Sequence, residues 1–505
     1  MNQVKAGAIL NYVIIGLNAL VGLVYTPFML RCLGQNEYGL YSLVASIIAY
    51  LTLLDFGFGP TVVRYTAKYI AEGKEKEQSA LYGLFFFLYS VIGLLALGIG
   101  FAVYANLDGL FDKTMSQADL SQARTMILLL LVNLAVTFPM SVFGSIVTAY
   151  ERFIFQKMMI IARILLSTAV MIGILLLGYK AVAMVICQTV FNLLLLASNY
   201  LYCKHKLHVK LRFEKCERSF IRELLGFSIW MFIGDIMFKF YYSTGSFVLG
   251  ATSGTTAVAV FALGVTLLQM YILFSGGISG VLLPRITSMV TKHSSDREIS
   301  DLFVRVGRLQ FLILGLILGG FVVFGRNFIR LWADEGYEEV YYLAILFFSS
   351  TLIPLIQNTG IVILQARNRL RYRAVMLLTV SAASLVAQVI LAKYYGAIGC
   401  AVAIAAGNLI GQGVIMNWYY AKKQNIDMIC FWKEIGKMSV VPVALSLAGL
   451  LLYENFCRPD FGSMVAWGSV YIALYGVLSW TISLNATEKT MLAAPLSRLL
   501  HKHTS

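Results

Sequence analysis

Two ionisable residues stand four apart in an apolar run: Asp235 and Lys239, in WMFIGDIMFKFYY (230–242). The i, i+4 spacing puts both on one helix face. A charge at membrane depth costs at least about 2.5–3.5 kcal/mol on insertion scales, so it normally faces a cavity or a partner. Such a pair could simply neutralise itself. Alternatively, Lys239 attracts an anionic substrate while Asp235 tunes it or binds a coupling cation. A third such residue, Asp55, lies in LLDFGFGP (53–60). Two arginines follow helix-loosening clusters: Arg64 after GFGP (57–60), and Arg285 after GGISG (276–280) and Pro284. Glycine and proline there allow a bend or a gate. Each arginine suits snorkelling to the interface. Their matching placement in both halves also suits an anion-attracting cytoplasmic mouth.

The chemistry these residues allow is binding. All five histidines (His205, His208, His293, His501, His503) lie outside the apolar runs, so an intramembrane zinc site or histidine relay has no ligands. The sequence has no HExxH, no GxSxG in a strand–helix setting, no P-loop and no dinucleotide fingerprint. That argues against an enzyme and leaves ATP-driven work without a nucleotide site. The seven cysteines, from Cys32 to Cys457, form no CxxC and no paired spacing, which suits membrane packing over a disulfide framework. No cofactor is expected beyond Na+ or H+ as a coupling ion.

The elements that position these residues are membrane spans. Hydrophobic residues make up 59% of the 505-residue chain and charged residues 13%, where soluble domains carry about 25% charged. Mean hydropathy is +0.78. Many runs approach the ~20 residues that cross a bilayer as a helix. Fourteen spans follow: 8–30, 39–59, 80–105, 124–149, 157–178, 180–202, 221–249, 256–283, 303–325, 338–364, 373–392, 396–420, 435–453 and 463–484. The first is too long for a signal h-region and has no small-residue cleavage site, so it reads as uncleaved.

The net charge of +15 is explained by its placement. With a cytoplasmic N-terminus, inner segments hold 31 of the 40 Lys and Arg, with Arg163 counted among them. Outer segments hold 8, including Arg326 and Arg330, and the one remaining, Lys239, is assigned to the interior of a span. The bias puts both termini of a multi-pass membrane protein in the cytoplasm. It also accounts for the basic chain through topology and anionic lipid contact, without nucleic acid.

The chain repeats itself faintly at an offset of 216. Leu33-Gly34 recurs as Leu249-Gly250, Gly144 as Gly360, Tyr179 as Tyr395, Ala181 as Ala397 and Asn192-Leu193 as Asn408-Leu409; Tyr25 with Tyr241 and Lys157 with Arg373 keep the register. The offset equals six spans, so both copies face the same way, a parallel repeat about an axis along the membrane normal. The expected fold is an all-α polytopic membrane protein. It has an N-lobe (1–203), a cytoplasmic interfacial linker (204–220), a C-lobe (221–422), two further spans (423–485) and a cytoplasmic tail (486–505). Subtracting 216 from Asp235 and Lys239 gives Ala19 and Leu23, so these charges belong to one half only. Asn192 and Asn408 suit hydrogen bonds between helices.

Several stretches resemble a known family. PFMLRCLGQNEYGLYSL (27–43) and LDFGFG (54–59) followed by Arg64 are similar to the opening of bacterial O-antigen and capsular polysaccharide flippases, and ILQARN (363–368) to their second half. These belong to the multidrug/oligosaccharidyl-lipid/polysaccharide exporter superfamily. The resemblance implies two six-helix lobes around a central cavity plus two extra helices. It implies movement of undecaprenyl-diphosphate-linked oligosaccharide from the inner to the outer leaflet by alternating access. It further implies cationic side chains for the diphosphate, such as Lys239, with Asp55, Arg64, Asp235 and Arg285 beside the route. Asp235 also matches an acidic sodium ligand of related flippases, with Ser384, Gln388, Asn408 and Gln412 as its partners. The implied partners are the lipid-linked substrate, membrane lipids and polysaccharide polymerase or export machinery, with the chain itself a monomer. Two other readings stand beside it. A multidrug cation antiporter of the same superfamily usually has twelve spans and favours an acidic cavity. A membrane polymerase or acyltransferase needs a catalytic outer loop or an intramembrane histidine.

Overall fold

A computed structural model describes residues 3–213, 232, 236, 239–279, 289, 295–333, 336–367, 369–456, 460–486 and 488–490. Every described element is helical. In chain order these are α1 (Gln3–Leu51), α2 (Phe58–Glu72), α3 (Glu75–Ala105), α4 (Leu107–Phe111), α5 (Gln117–Ala149), α6 (Phe153–Leu176), α7 (Ala181–His205), α8 (Thr244–Thr252) and α9 (Thr255–Ser279). There follow α10 (Asp296–Ala333), α11 (Glu339–Ile356), α12 (Asn358–Ala366), α13 (Leu370–Asn408), α14 (Met416–Lys423), α15 (Met428–Phe456) and α16 (Phe461–Leu478). Large apolar side chains face outward, as lipid solvent allows: Leu94 is 69% exposed and Leu177 76%.

Among the described residues, 11 helical stretches are long and apolar enough to cross a membrane, against the fourteen expected. Two of them, Ile9–Glu72 and Leu370–Lys423, each hold two expected spans. Their breaks fall at Gly34 (φ 73) inside α1 and Gly396 (φ 54) inside α13. Glycine adopts the left-handed region without the Cβ clash that bars other residues. Expected span 7 (221–249) falls mainly outside the described residues.

By packing, the chain divides into two compact units, Met1–Leu263 with Leu377–Ile404, and Gly264–Met376 with Ala405–Ser505. In the first, α5 lies against α3 and α7, and α6 lies against α1. Ser116 starts α5 through a capping box with Asp119, which satisfies backbone donors at the helix end. The linker after α7 runs along α3, where the Arg212 N–H donates to the Ser79 carbonyl at 3.0 Å. Of the pairs at the 216 offset, Ala181 and Ala397 are both buried and Tyr179 and Tyr395 both exposed, whereas Gly34 is exposed and Gly250 buried.

In the second unit, α10 lies against α11, α15 and α16. Arg308 of α10 is 4% exposed and holds three chain segments together. Its Nε and Nη2 donate to the Glu488 carboxylate at 2.6 and 2.8 Å, Nη1 to Glu434 at 2.6 Å, and Nη2 also to the Ser483 carbonyl at 2.7 Å. Glu488 is fully buried, so the tail expected from residue 486 begins as an anchored segment.

Candidate functional site

The backbone around Asp55 is broken. A 3-10 turn, Thr52–Asp55, ends α1, and Phe56 (φ 51) and Gly57 (φ 67) are both left-handed before α2 begins. The left-handed region costs a side chain such as Phe56 roughly 1–2 kcal/mol. Its ring packs 4.9 Å from Phe232 and 6.1 Å from Phe58, contacts that offset this cost. The expected loosening at GFGP is therefore a helix break. Irregular backbone at membrane depth is tolerated where protein buries it or it lines a cavity, and here Asp55 and Gly59 line one. Lys239 opens a π-helical turn, Lys239–Ser243. Such turns are rare and frequent at functional sites. Gln388 of α13 donates its Nε2–H to the Phe240 carbonyl at 3.3 Å, a fixed point on that turn.

These two irregularities meet at a cavity of about 530 Å³ within the first unit, lined by Asp55, Lys239, Tyr89, Ser141 and Ser145 among others. Tyr89 is buried beside Asp55 and Ser141. An adjoining cavity of about 320 Å³ shares Thr52, Leu134, Thr137 and Lys239 with the first and adds Arg163, Gln188, Asn192, Asn133 and Tyr41. The amides there are held in place. Asn192 Nδ2 donates to Asn133 Oδ1 and to Thr137 Oγ1, both at 2.9 Å, and the Tyr41 hydroxyl donates to Gln188 Oε1 at 3.0 Å. Asn192 thus ties α7 to α5, as expected for a helix–helix amide. Asn133 and Gln188 line the cavity as well. One carboxylate and two cations face this space, together with hydroxyls and amides, so it can hold a hydrated anionic group inside the bilayer.

Of the five predicted site residues, the structure brings Asp55 and Lys239 to one cavity. Arg64 does not line it. It is exposed on α2, its guanidinium 5.8 Å from the Tyr65 ring centre. Asp235 and Arg285 lie outside the described residues. Ser384 is buried and donates to the Ala403 carbonyl at 3.0 Å. Asn408 ends α13, and Gln412 lies in a second π-helical turn, Leu409–Ile415.

Arg163 is the residue that sequence reasoning missed. It was counted with a cytoplasmic end, yet it sits near the middle of α6, a helix of 24 apolar-rich residues. It lines the cavity beside Lys239 and has no carboxylate partner among the described residues. The signal was present, because the expected span 157–178 already enclosed it. Moving this one charge leaves the inner excess of Lys and Arg intact.

Helices that carry charge at membrane depth around a polar cavity are the architecture of polytopic membrane transport proteins. The chain belongs to the polysaccharide biosynthesis protein family, whose model matches residues 4–290, more than half its length. No curated protein matches it by sequence. Solved structures show the same fold. The lipid II flippase MurJ, in an inward closed conformation, superposes with a TM-score of 0.72 at 14% identity, covering 97% of this chain and 99% of that one. An inward-facing multidrug resistance MATE family transporter of the MOP superfamily gives 0.58 at 14% identity, over 80% and 98%. A MOP superfamily transporter from Pyrococcus furiosus gives 0.58 at 14%, over 84% and 96%. At these identities the likeness establishes the fold. This is a multi-pass membrane protein with a family and fold of the transporter and flippase type.

Proposed function

We propose that the protein moves undecaprenyl-diphosphate-linked oligosaccharide from the inner to the outer leaflet of the cytoplasmic membrane by alternating access, with both termini cytoplasmic. The observation that carries this is the pairing of Lys239 and Arg163 at one membrane-embedded cavity. A diphosphate and a hydrated glycan cannot cross hydrocarbon unaided, since burying unpaired charge is prohibitive. Two cations answer the phosphates, and the amides of Asn133, Gln188 and Asn192 offer hydrogen bonds to sugar hydroxyls. Asp55, beside Lys239, suits a coupling Na+ or H+, with Asp235 as the alternative site for that ion. Arg64 and Arg285 suit the cytoplasmic approach. The family and the likeness to MurJ support a lipid-linked glycan as cargo.

Depletion of the protein with leaflet-specific labelling of lipid-linked sugars tests the proposal. Accumulation on the cytoplasmic face is expected, and an unchanged distribution refutes it. The likeness to MATE transporters supports a second reading, a multidrug antiporter. It requires a deletion strain to become sensitive to cationic drugs while its lipid-linked sugars stay normally distributed.

A further inference from the structure

We infer that the second unit carries a separate glycan-binding subsite, where α10 ends and α11 begins. A cavity of about 340 Å³ is lined there by Arg326, Asn327, Arg330, Glu338, Tyr341 and Tyr342. The two arginines are four apart, on one helix face. The Arg326 guanidinium lies 5.2 Å from the Tyr341 ring centre and 5.8 Å from that of Tyr342, and its Nη2 donates to the Tyr342 hydroxyl at 3.2 Å. Tyr341 is buried, donates its hydroxyl to the Val322 carbonyl at 2.8 Å and stacks on Phe321 at 6.0 Å. The floor of the cavity is therefore fixed. Tyr342 is 47% exposed and presents ring surface to whatever enters.

The lining mixes donors (two guanidiniums and an amide) with acceptors (the Glu338 carboxylate and the Asn327 amide oxygen). A bare anion would use only the donors and be repelled by Glu338. Sugar hydroxyls both donate and accept, and the C–H face of a pyranose packs on an aromatic ring. The volume is at the small end of ligand pockets, which run about 300–1,000 Å³, enough for one or two sugar rings. Tyr and Arg also populate membrane interfaces as belt residues. Belt residues reach out into headgroups, whereas Arg326 is held against two tyrosine rings. The Lys/Arg bias assigns this end to the outer face. On the flippase reading, the subsite holds the glycan after it leaves the inner cavity; sugar binding itself does not depend on that reading.

The test is saturation-transfer-difference NMR on the full chain in detergent micelles, with D-glucose, D-galactose and N-acetyl-D-glucosamine as probes. At least one sugar should give a signal. Tyr342→Ala should weaken its binding about threefold to tenfold, the loss of one ring face. Arg330→Gln, at an exposed position, should weaken it without lowering the melting temperature. The inference is overturned if no probe gives a signal. It is also overturned if the signal survives Tyr342→Ala but vanishes in Lys239→Ala, or if phosphatidylglycerol added to the micelles displaces every sugar, which would make this a lipid headgroup site. A chain that binds sugar here yet moves no lipid-linked glycan sinks the flippase reading alone. Transport without sugar binding here sinks the subsite alone.

Discussion

Replacing Arg308 with leucine should cost the second unit much of its stability, and the structure sets the size of the loss. The guanidinium is 4% exposed and makes two hydrogen bonds to Glu488, whose side chain is 1% exposed, and a third to Glu434 at 24%. Leucine fills part of the volume but strands the Glu488 carboxylate in a buried site. Breaking one side of a buried ion pair costs about 3–5 kcal/mol. Glu434 loses less, because Lys437 remains 2.6 Å away. At about 2–4 °C per kcal/mol for a unit of 150–250 residues, the melting temperature should fall by about 6–20 °C. Tryptophan fluorescence during heating in detergent reads this, since Trp432, Trp467 and Trp480 all lie in the same unit. Adding Glu488→Gln to Arg308→Leu removes the stranded charge and keeps an oxygen to accept the Asn485 N–H, so the double variant should regain most of the loss. A single variant melting within 2 °C of the parent, roughly the smallest shift that 1 kcal/mol produces, would refute the reasoning.

Other expectations concern the cavity of the first unit. Lys239→Ala should abolish surface polysaccharide while the protein stays folded and membrane-inserted; normal polysaccharide in that variant removes Lys239 from the site. Arg163→Gln should slow lipid-linked glycan movement about ten- to a hundredfold, the scale of a lost charge-assisted hydrogen bond, as followed in proteoliposomes. Its melting temperature should not fall, because Arg163 has no carboxylate partner among the described residues. Asn192→Leu removes the amide that bridges α7 to α5 and should cost about 0.6–1.7 kcal/mol, visible as a small drop in melting temperature.

Thirteen of the fourteen expected spans fall on described apolar helices, because burying backbone in lipid demands long apolar helices that hydropathy reveals. The GFGP cluster marked the break after Asp55, where Gly57 takes one of the two left-handed positions and Phe56 the other; the second cluster, as far as Ser279, stays helical in α9. Arg163 was misplaced for a physical reason. Counting basic residues by loop treats every arginine near an inner end as solvated, although a helix can carry one well into the bilayer if a cavity receives it. The Arg308–Glu488 pair was illegible, because its members are 180 residues apart and neither sits in a recognisable motif. The π-helical turns left no trace in the apolar pattern of these spans, which are hydrophobic nearly all round.

The turn at Lys239–Ser243 alters how the two halves of the chain should be compared. A π-helical turn takes up one residue more than the α-helical turn it replaces, and each residue of an α-helix accounts for about 100° of rotation. The corresponding stretch of the first half, 23–27, lies in the part of α1 before its break at Gly34. At the turn itself, a register carried from Leu33-Gly34 and Leu249-Gly250 therefore pairs Lys239 with Val24 instead of Leu23. Both partners are apolar, so the charge asymmetry at Lys239 holds in either register. Facing does not. A mutation scan that transfers positions between halves by a fixed numerical offset would compare side chains on different faces of the helix, and symmetry-based design in this protein must change phase at residue 239.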